Sequence, residues 1–462
     1  PMHSIADALN AFASFMWSTP LVVLLVGGGV FFLVHSHARP YRYFGHGLSI
    51  LTGRYDREAG SEGDISHFKA LATALSGTLG LGNITGVAVA ITVGGPGAIF
   101  WMWVTAIVGV ATKFYTASLA VMYRGRDDAG HLQGGPMYVI REALGPRWRP
   151  LAVLFAVAAI FGTLPIFQVN QLVQITRDVV AIPAGITQAD DHLTFDLVLG
   201  LLLSALVFAV IIGRIQRIAA VTSRVVPFMV VFYFVLTAIL LVGNADAVPG
   251  AFAMIIEDAF RGRSVAGGAL GTIILIGVQR GAFSNEAGIG TEALAHGAAK
   301  TKEPIREGLV AMVGPVVDTL IVCTCTALAI LVTGVWQGDA VGATLTGEAF
   351  ETAFPGIGGY LLVLMVFFLS MSTVLTFSYY GSKCTGFLFG TRYEKAYLWF
   401  YVGLITLGAV SPLRAVIGLI DGMYALMAIP TMLSTLVLAP KVRTAATDYF
   451  RRLEIEREGR RL

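Results

Sequence analysis

The 462-residue chain is 56% hydrophobic and only 13% charged, with a formal net charge of +3, whereas soluble proteins carry roughly 25% charged residues. So small a supply of charge excludes a set of soluble domains. Most of the chain must face lipid or other buried helices, as in a polytopic membrane protein.

Segments of about 20 apolar residues are long enough to cross the hydrocarbon core. Eleven such segments fall near 15–36, 66–92, 95–122, 151–177, 195–213, 223–243, 266–296, 308–335, 357–388, 396–411 and 413–440. The first has no basic leader of the kind a cleaved signal peptide carries and is expected to be a retained helix. Between the sixth and seventh, "PGAFAMIIEDAF" places apolar residues on one face and Glu257 and Asp258 on another, which predicts an amphipathic helix lying on the membrane surface. Cys323, Cys325 and Cys384 fall in or beside apolar segments without disulfide-framework or zinc-ligand spacing and read as packing residues.

Lysine and arginine set the orientation. Arg39, Arg42, Arg54 and Arg57 lie in the first connection, Arg124, Arg126, Arg141, Arg147 and Arg149 in the third, and Arg214, Arg217 and Arg224 in the fifth. Lys300, Lys302 and Arg306, then Lys383, Arg392 and Lys395, continue the series, which ends in Lys441, Arg443, Arg451, Arg452, Arg457, Arg460 and Arg461. The connections between them are neutral or acidic. This alternation predicts an amino terminus outside and a carboxyl terminus in the cytoplasm, and makes the basic tail an orientation signal with no call for a nucleic acid partner.

Setting aside the first helix leaves two sets of five. The expected organisation is an extra helix and loop over 1–65, a first repeat over 66–245, the surface helix over 246–265, a second repeat over 266–440 and a basic tail over 441–462. The first helix of each set is interrupted, by "SGTLGLGN" at 76–83 and by "RGAFSNEAGIG" at 280–290. Because five is odd, the halves have opposite topology, and paired interruptions in such halves point to the binding site of a secondary transporter. Unwound backbone at mid-membrane is tolerated only where protein or a wet cavity satisfies it. Freed N–H groups at the start of a half-helix favour a carboxylate, and freed carbonyls suit a hard cation such as Na+.

The stretch 76–114, beginning "SGTLGLGNITGVAVAITVGGPG", resembles the signature region of the alanine or glycine:cation symporters, also called sodium:alanine symporters. "GGPMY" at 134–138, "RGAFSNEAGIGTEALAHGAAKT" at 280–301, "VDTLIVCT" at 317–324 and "YYGSKC" at 379–384 are similar to further motifs of that family. The resemblance covers nearly everything from residue 66 onward. It implies an all-α protein of the amino acid-polyamine-cation superfamily with the LeuT fold, a 5+5 inverted repeat, here with one extra amino-terminal helix. It also implies uptake of a small neutral amino acid, alanine or glycine by default, coupled to Na+ across a prokaryotic inner membrane, with no cofactor.

Carried over by position, the resemblance implies that Gly80 and the amides of Leu81 and Gly82 hold the substrate carboxylate, while Asn83 serves the amino group or a cation. The carbonyls of Ser76, Leu79 and Leu369 and the hydroxyls of Ser372 and Thr373 would hold Na+. Gln168 and Asn170 resemble the polar pair that lines the family's substrate site, with an interhelical hydrogen bond as the alternative. Phe283, Ser284 and Asn285 in the second break, and Phe377, would wall or cap the pocket. The chain departs from many members at Leu81 and at Phe377, which are expected to line that pocket, so a different small amino acid is open.

Two ionisable residues near mid-membrane are functional candidates. Glu286 has pairing with Arg280 or capping of the next half-helix as alternatives. Asp318 sits about 15 Å into its helix at 1.5 Å per residue; it is a second cation or proton site, or it pairs with Lys113 or backbone amides. Enzyme readings find no support, since "GLGN" follows no strand, no P-loop is present and the eight histidines have no metal-ligand spacing. Glu292 and His296 are expected to form a helix-end ion pair. The rivals to a symporter are a proton-coupled or uncoupled facilitator or channel, and a membrane-bound amino acid sensor.

Overall fold

A computed structural model gives the architecture and describes residues 2–55, 61–261, 270–411 and 414–459. The expected positions of Arg57, Arg460 and Arg461, the end of the surface segment at 262–265, and 266–269 lie outside them. Among the described residues, eight helices are long and apolar enough to cross a membrane, or nine when one helix pair bent by 60° counts as a span. Lipid-facing surfaces are therefore apolar as well as the core: Leu201, Leu202, Val231 and Phe234 are exposed and no water-soluble fold would leave them so.

α1 (Met2–Met16) and α2 (Thr19–His35) replace the single expected first helix; they join at Trp17, whose Nε1 donates to the Asp421 carbonyl at 3.2 Å. The first interrupted segment is α3 (His67–Thr78) followed by α4 (Thr85–Gly94). Next come α5 (Gly97–Met122), α6 (Arg149–Gly162) and α7 (Ile166–Thr176), the last two separated by a Thr163–Pro165 break, then α8 (Leu193–Ile211) and α9 (Arg214–Gly243). The second half begins after α10 (Val248–Arg261) with α11 (Leu270–Asn285) and α12 (Thr291–His296), and continues with α13 (Pro304–Thr333). An amphipathic α14 (Ala343–Ala353) precedes α15 (Gly358–Phe389), α16 (Glu394–Val410) and α17 (Arg414–Gly459). A short hairpin, β1 (Gly125–Arg126) and β2 (Leu132–Gln133), closes the loop after α5.

Two expectations need correction. In α10 the helix forms, but Asp258 turns inward: its carboxylate accepts from the Gly97 N–H at 2.8 Å and is buried against the start of α5. A carboxylate at a helix N-terminus satisfies an orphan donor and complements the helix dipole, which outweighs solvation. Phe252, Ile256 and Phe260 stay exposed to lipid instead. The segment 441–459 is no loose tail but the continuation of α17, passing Pro440 without a break in the helix.

Candidate binding site at the two helix breaks

α3 stops at Thr78 because Leu79 and Gly80 leave helical geometry, with ψ values of 84° and −156°. The chain resumes as one tight turn, Leu81–Asn83, whose first N–H groups are those of Leu81 and Gly82, the position where helices leave donors without an internal acceptor. Asn83 holds the gap together. Its Oδ1 accepts from the Gly80 N–H at 3.0 Å, and its Nδ2 donates to Asp318 Oδ1 at 2.6 Å and to Ser284 Oγ at 3.1 Å.

The second break spans Glu286 to Gly290 between α11 and α12. Glu286 adopts a left-handed φ of 57°, unusual outside glycine. Such an outlier persists where the surroundings determine it; here its carboxylate accepts from the side-chain hydroxyl of Thr291, the first residue of α12. Gly290 needs its φ of 97°, and the Thr431 side chain occupies the space a Cβ would take. Of the alternatives open for Glu286, neither a cap on the α12 backbone nor a bond to Arg280 forms among the described residues; its carboxylate holds the Thr291 side chain instead.

Asp318 joins the breaks. It lies fully buried in a π-helical stretch of α13, Val316–Cys323, of the kind that often marks functional sites. Its Oδ1 takes the Asn83 amide, and its Oδ2 accepts from Ser284 Oγ at 2.8 Å and Thr319 Oγ1 at 2.7 Å. The partners are therefore side chains of both interruptions, not backbone amides. Lys113 of α5, also buried, lies beside Gly314 about one turn earlier and within Coulombic reach of Asp318 and Glu286.

Toward the basic end, α15 presents its hydroxyl pair to the end of α3. Thr373 Oγ1 lies 3.0 Å from the carbonyls of both Ser76 and Leu369; Ser372 Oγ lies 3.4 Å from Ser76 O and 3.0 Å from Leu369 O. Leu79 is buried next to them and lines a small apolar space together with Leu369. Two hydroxyls and two carbonyls thus lie within hydrogen-bond reach of one another without a fixed charge, and oxygen donors of this kind suit a hard cation better than a transition metal.

Beside these oxygens lies a cavity of about 30 Å³, lined by Gly80, Gly82, Gln168, Phe283, Glu286 and Phe377 among others. Gln168 Oε1 is buried and has no partner. Tyr424 closes one wall, with its ring centroid 5.4 Å from Phe283 and 6.4 Å from Phe377. Leu81, Ser284 and Asn285, expected at the substrate, do not line it: Ser284 is held by Asp318, and Asn285 bonds Thr319 Oγ1 and the Ala287 N–H. Asn170 holds the carbonyls of Gly408 and Ser411, which is the interhelical alternative. Tyr424 and Phe167 line the cavity with no signal in the sequence, since aromatic residues are ordinary in apolar helices.

At the basic end of the bundle a second polar cluster fastens both interrupted helices. Glu307 accepts from His67, the first residue of α3, and from His296, the last of α12, the latter at 2.5 Å. The expected Glu292–His296 pair does not form; Glu292 accepts from Thr116 Oγ1 at 2.7 Å instead. The Asp64 N–H donates to Ala298 O at 2.9 Å, the Lys300 N–H to Ile65 O at 2.7 Å, and Arg124 bonds the carbonyls of Gly297 and Ala299.

Interrupted helices around an enclosed polar site, within a multi-pass bundle, define a membrane transporter. Comparison with known proteins agrees, and the chain belongs to the sodium:alanine symporter family, whose profile matches residues 2–461. This is a family of transporters, not of enzymes. Similar proteins include "Sodium/alanine symporter AgcS" of Methanococcus maripaludis, 39% identical over 93% of this chain and 94% of that one. An uncharacterized transporter of Haemophilus influenzae is 38% identical over 98% of both chains, and "Probable sodium/glutamine symporter GlnT" of Bacillus subtilis is 32% identical over 97% of this chain and 92% of its own. Among solved structures, MhsT in complex with L-phenylalanine is similar in fold, with a TM-score of 0.55 at 12% identity over 83% of this chain and 98% of that one.

Proposed function

We propose that the protein is a Na+-coupled symporter of a small neutral amino acid, alanine or glycine by default, taking its substrate into the cell by alternating access. The observation that carries this reading is the bridging of both helix breaks by Asp318, next to the two carbonyls and two hydroxyls of Ser76, Leu369, Ser372 and Thr373. The sodium/alanine and sodium/glutamine symporter names borne by relatives support the same class of cargo.

In this reading the bundle has eleven spans: α1 with α2, then α3 with α4, α5, α6 with α7, α8 and α9, and α11 with α12, α13, α15, α16 and α17, the last ten forming a 5+5 inverted repeat of LeuT type, in a cytoplasmic membrane with the amino terminus outside. Na+ is cargo, held by the α3 carbonyls and α15 hydroxyls. Gly80 and the amide of Gly82, which line the cavity, receive the substrate carboxylate, Gln168 contacts the substrate, and Phe283, Phe377 and Tyr424 form a thin aromatic gate. Asn83 and Ser284 act through Asp318, ordering both breaks when cargo binds. The His67–Glu307–His296 cluster keeps the cytoplasmic side closed in this conformation.

Two buried carboxylates, Asp318 and Glu286, favour proton coupling as the second reading. Uptake of labelled amino acids into proteoliposomes separates the two. Accumulation driven by an inward Na+ gradient and weakened by Thr373→Ala supports the symporter; accumulation driven by a pH gradient moves the coupling to a carboxylate, and equilibration indifferent to both ions makes the protein a facilitator.

A further inference from the structure

A larger cavity, of about 220 Å³, opens at the basic end of the bundle, between the β1–β2 hairpin, the α8–α9 corner and the ends of α15 and α16. That is roughly an order of magnitude more than the ~10–15 Å³ one water needs. It is separate from the central site yet adjoins it along α15: Phe377 faces the central cavity, while Ser378 and Tyr379 face this one. The rings of Phe377 and Tyr380, 6.0 Å apart, stand between.

Its wall combines buried polar residues the transport site does not use, Gln133, Ser378, Tyr379 and Lys383, with the exposed charges of Asp64, Arg214 and Lys395. Lys383 is 8% exposed, and its Nζ sits 5.1 Å over the Tyr379 ring. Among the described residues no ion pair joins it to a carboxylate. Tyr379 and Gln133 both line the cavity, and the Tyr379 hydroxyl and Gln133 Oε1 are buried beside it without a hydrogen-bond partner. Burying such groups without partners costs free energy, which makes them candidates for ligand contact. At the α8–α9 corner Arg214 takes a left-handed φ of 54°, a strained setting for a non-glycine residue, and lines the same space.

The two signs of charge decide the ligand. Lys383, Arg214 and Lys395 line the cavity together with Asp64, Asp127 and Glu394, and Ile211, Ile215 and Leu398 add apolar lining. A simple anion would meet three carboxylates, and a metal cation would meet three cationic side chains. We infer that this cavity is a second, cytoplasmic-side binding site for a free amino acid zwitterion, its carboxylate on Lys383 and the Tyr379 hydroxyl and its ammonium on Asp64, Glu394 and Gln133 Oε1. The inference rests on the proposed amino acid cargo and orientation. It gives departing substrate a resting place beyond the aromatic gate, and gives accumulated cytosolic amino acid a place from which to oppose further release.

Equilibrium binding of tritiated L-alanine, glycine and L-glutamine to the purified full chain tests it. The expected result is two equivalents per chain. Thr373→Ala removes the Na+-dependent one; Lys383→Gln weakens the Na+-independent one at least tenfold, and Lys383→Arg retains it. Persistence of Na+-dependent binding in Lys383→Gln shows that this variant is folded. A single equivalent that Lys383→Gln leaves untouched overturns the inference while the symporter reading stands, as does displacement of the second equivalent by inorganic phosphate at matched concentration. Lys383-dependent binding without any Na+-dependent equivalent would support this site and sink the symporter reading.

Discussion

Gly80→Ala is the most exacting perturbation of the proposed cation site, because it alters no cation ligand directly. A Cβ on Gly80 would stand 2.8 Å from Thr373 Oγ1, nearer than real Cβ atoms come to oxygen. Ordinary contact requires the hydroxyl to retreat by about 0.6 Å, which carries it off its bonds to Ser76 O and Leu369 O, both 3.0 Å. Leaving a rotamer well costs ~1 kcal/mol, and the one hydrogen bond that the hydroxyl's single proton makes, shared between the two carbonyls, contributes ~1 kcal/mol. A loss of about 2 kcal/mol corresponds to roughly a thirtyfold rise in the Na+ concentration for half-maximal uptake. The assay is Na+-dependent uptake in proteoliposomes at saturating amino acid. Thr373→Ala makes room for the methyl group, so Gly80→Ala in that background should add less than twofold, a non-additivity expected only of groups in contact. Half-saturation within twofold of wild type in Gly80→Ala alone, or full additivity of the pair, would refute the placement.

Asp318→Asn exchanges three carboxylate hydrogen bonds for neutral ones at about 1 kcal/mol each, so uptake efficiency should fall about a hundredfold; a fall of less than fivefold would mean that the bridge between the breaks does not matter to transport. Glu307→Ala removes the clamp on His67 and His296, and hydrogen–deuterium exchange should then rise at Asp64 and Ile65, whose N–H groups both reach Ala298 O. Unchanged exchange there would refute its role in closing the basic end. In the β1–β2 hairpin, burial pushes the Asp127 carboxyl up, but donors on Gln133, His131 and Ala129 outweigh it and hold it below its usual range. A depressed carboxyl stabilises above its unfolded value of ~3.9, and that stability is lost as pH falls through the folded value. Asp127→Asn should therefore lower the apparent Tm at pH 7, with a deficit that shrinks as pH falls below ~3.9; a deficit that does not change with pH would show that charge is not the cause.

The interruptions were legible because glycine and polar residues clustered inside apolar segments have few other uses in lipid, and Asp318 because a mid-membrane carboxylate is costly without a purpose. What those residues bond to was not legible. Asn285 and Ser284 stand side by side in the sequence with the same chemistry, yet one holds the loop and the other reaches Asp318. Glu292 and His296 have ideal helical spacing, but each finds a better partner on another helix, Thr116 and Glu307. Spacing fixes which residues share a face, while the choice among partners is made by packing between helices far apart in the chain. Asp258 shows the same limit, since the α5 terminus that captures it lies some 160 residues earlier.

The two polar clusters described above act on the two ends of one rod. α3 is 12 residues, about 18 Å of helix at 1.5 Å per residue, with the Ser76–Thr373 contact at its carboxyl end and the His67–Glu307 contact at its amino end. A rigid helix cannot tilt at one end without disturbing the other, so cargo in the centre and closure at the basic end are coupled mechanically. Magnitudes decide whether that coupling can work. Turning a 1:99 equilibrium into 99:1 requires ~5.5 kcal/mol, and two charge-assisted hydrogen bonds on Glu307 supply ~3–6 kcal/mol. A clamp of that size keeps the empty site shut yet yields to binding free energies of ordinary strength. A clamp built from a single neutral bond would leak, and a larger ion-pair network would hold the bound state closed as firmly as the empty one. On the proposed cycle, Glu307 with two histidines sits between those limits.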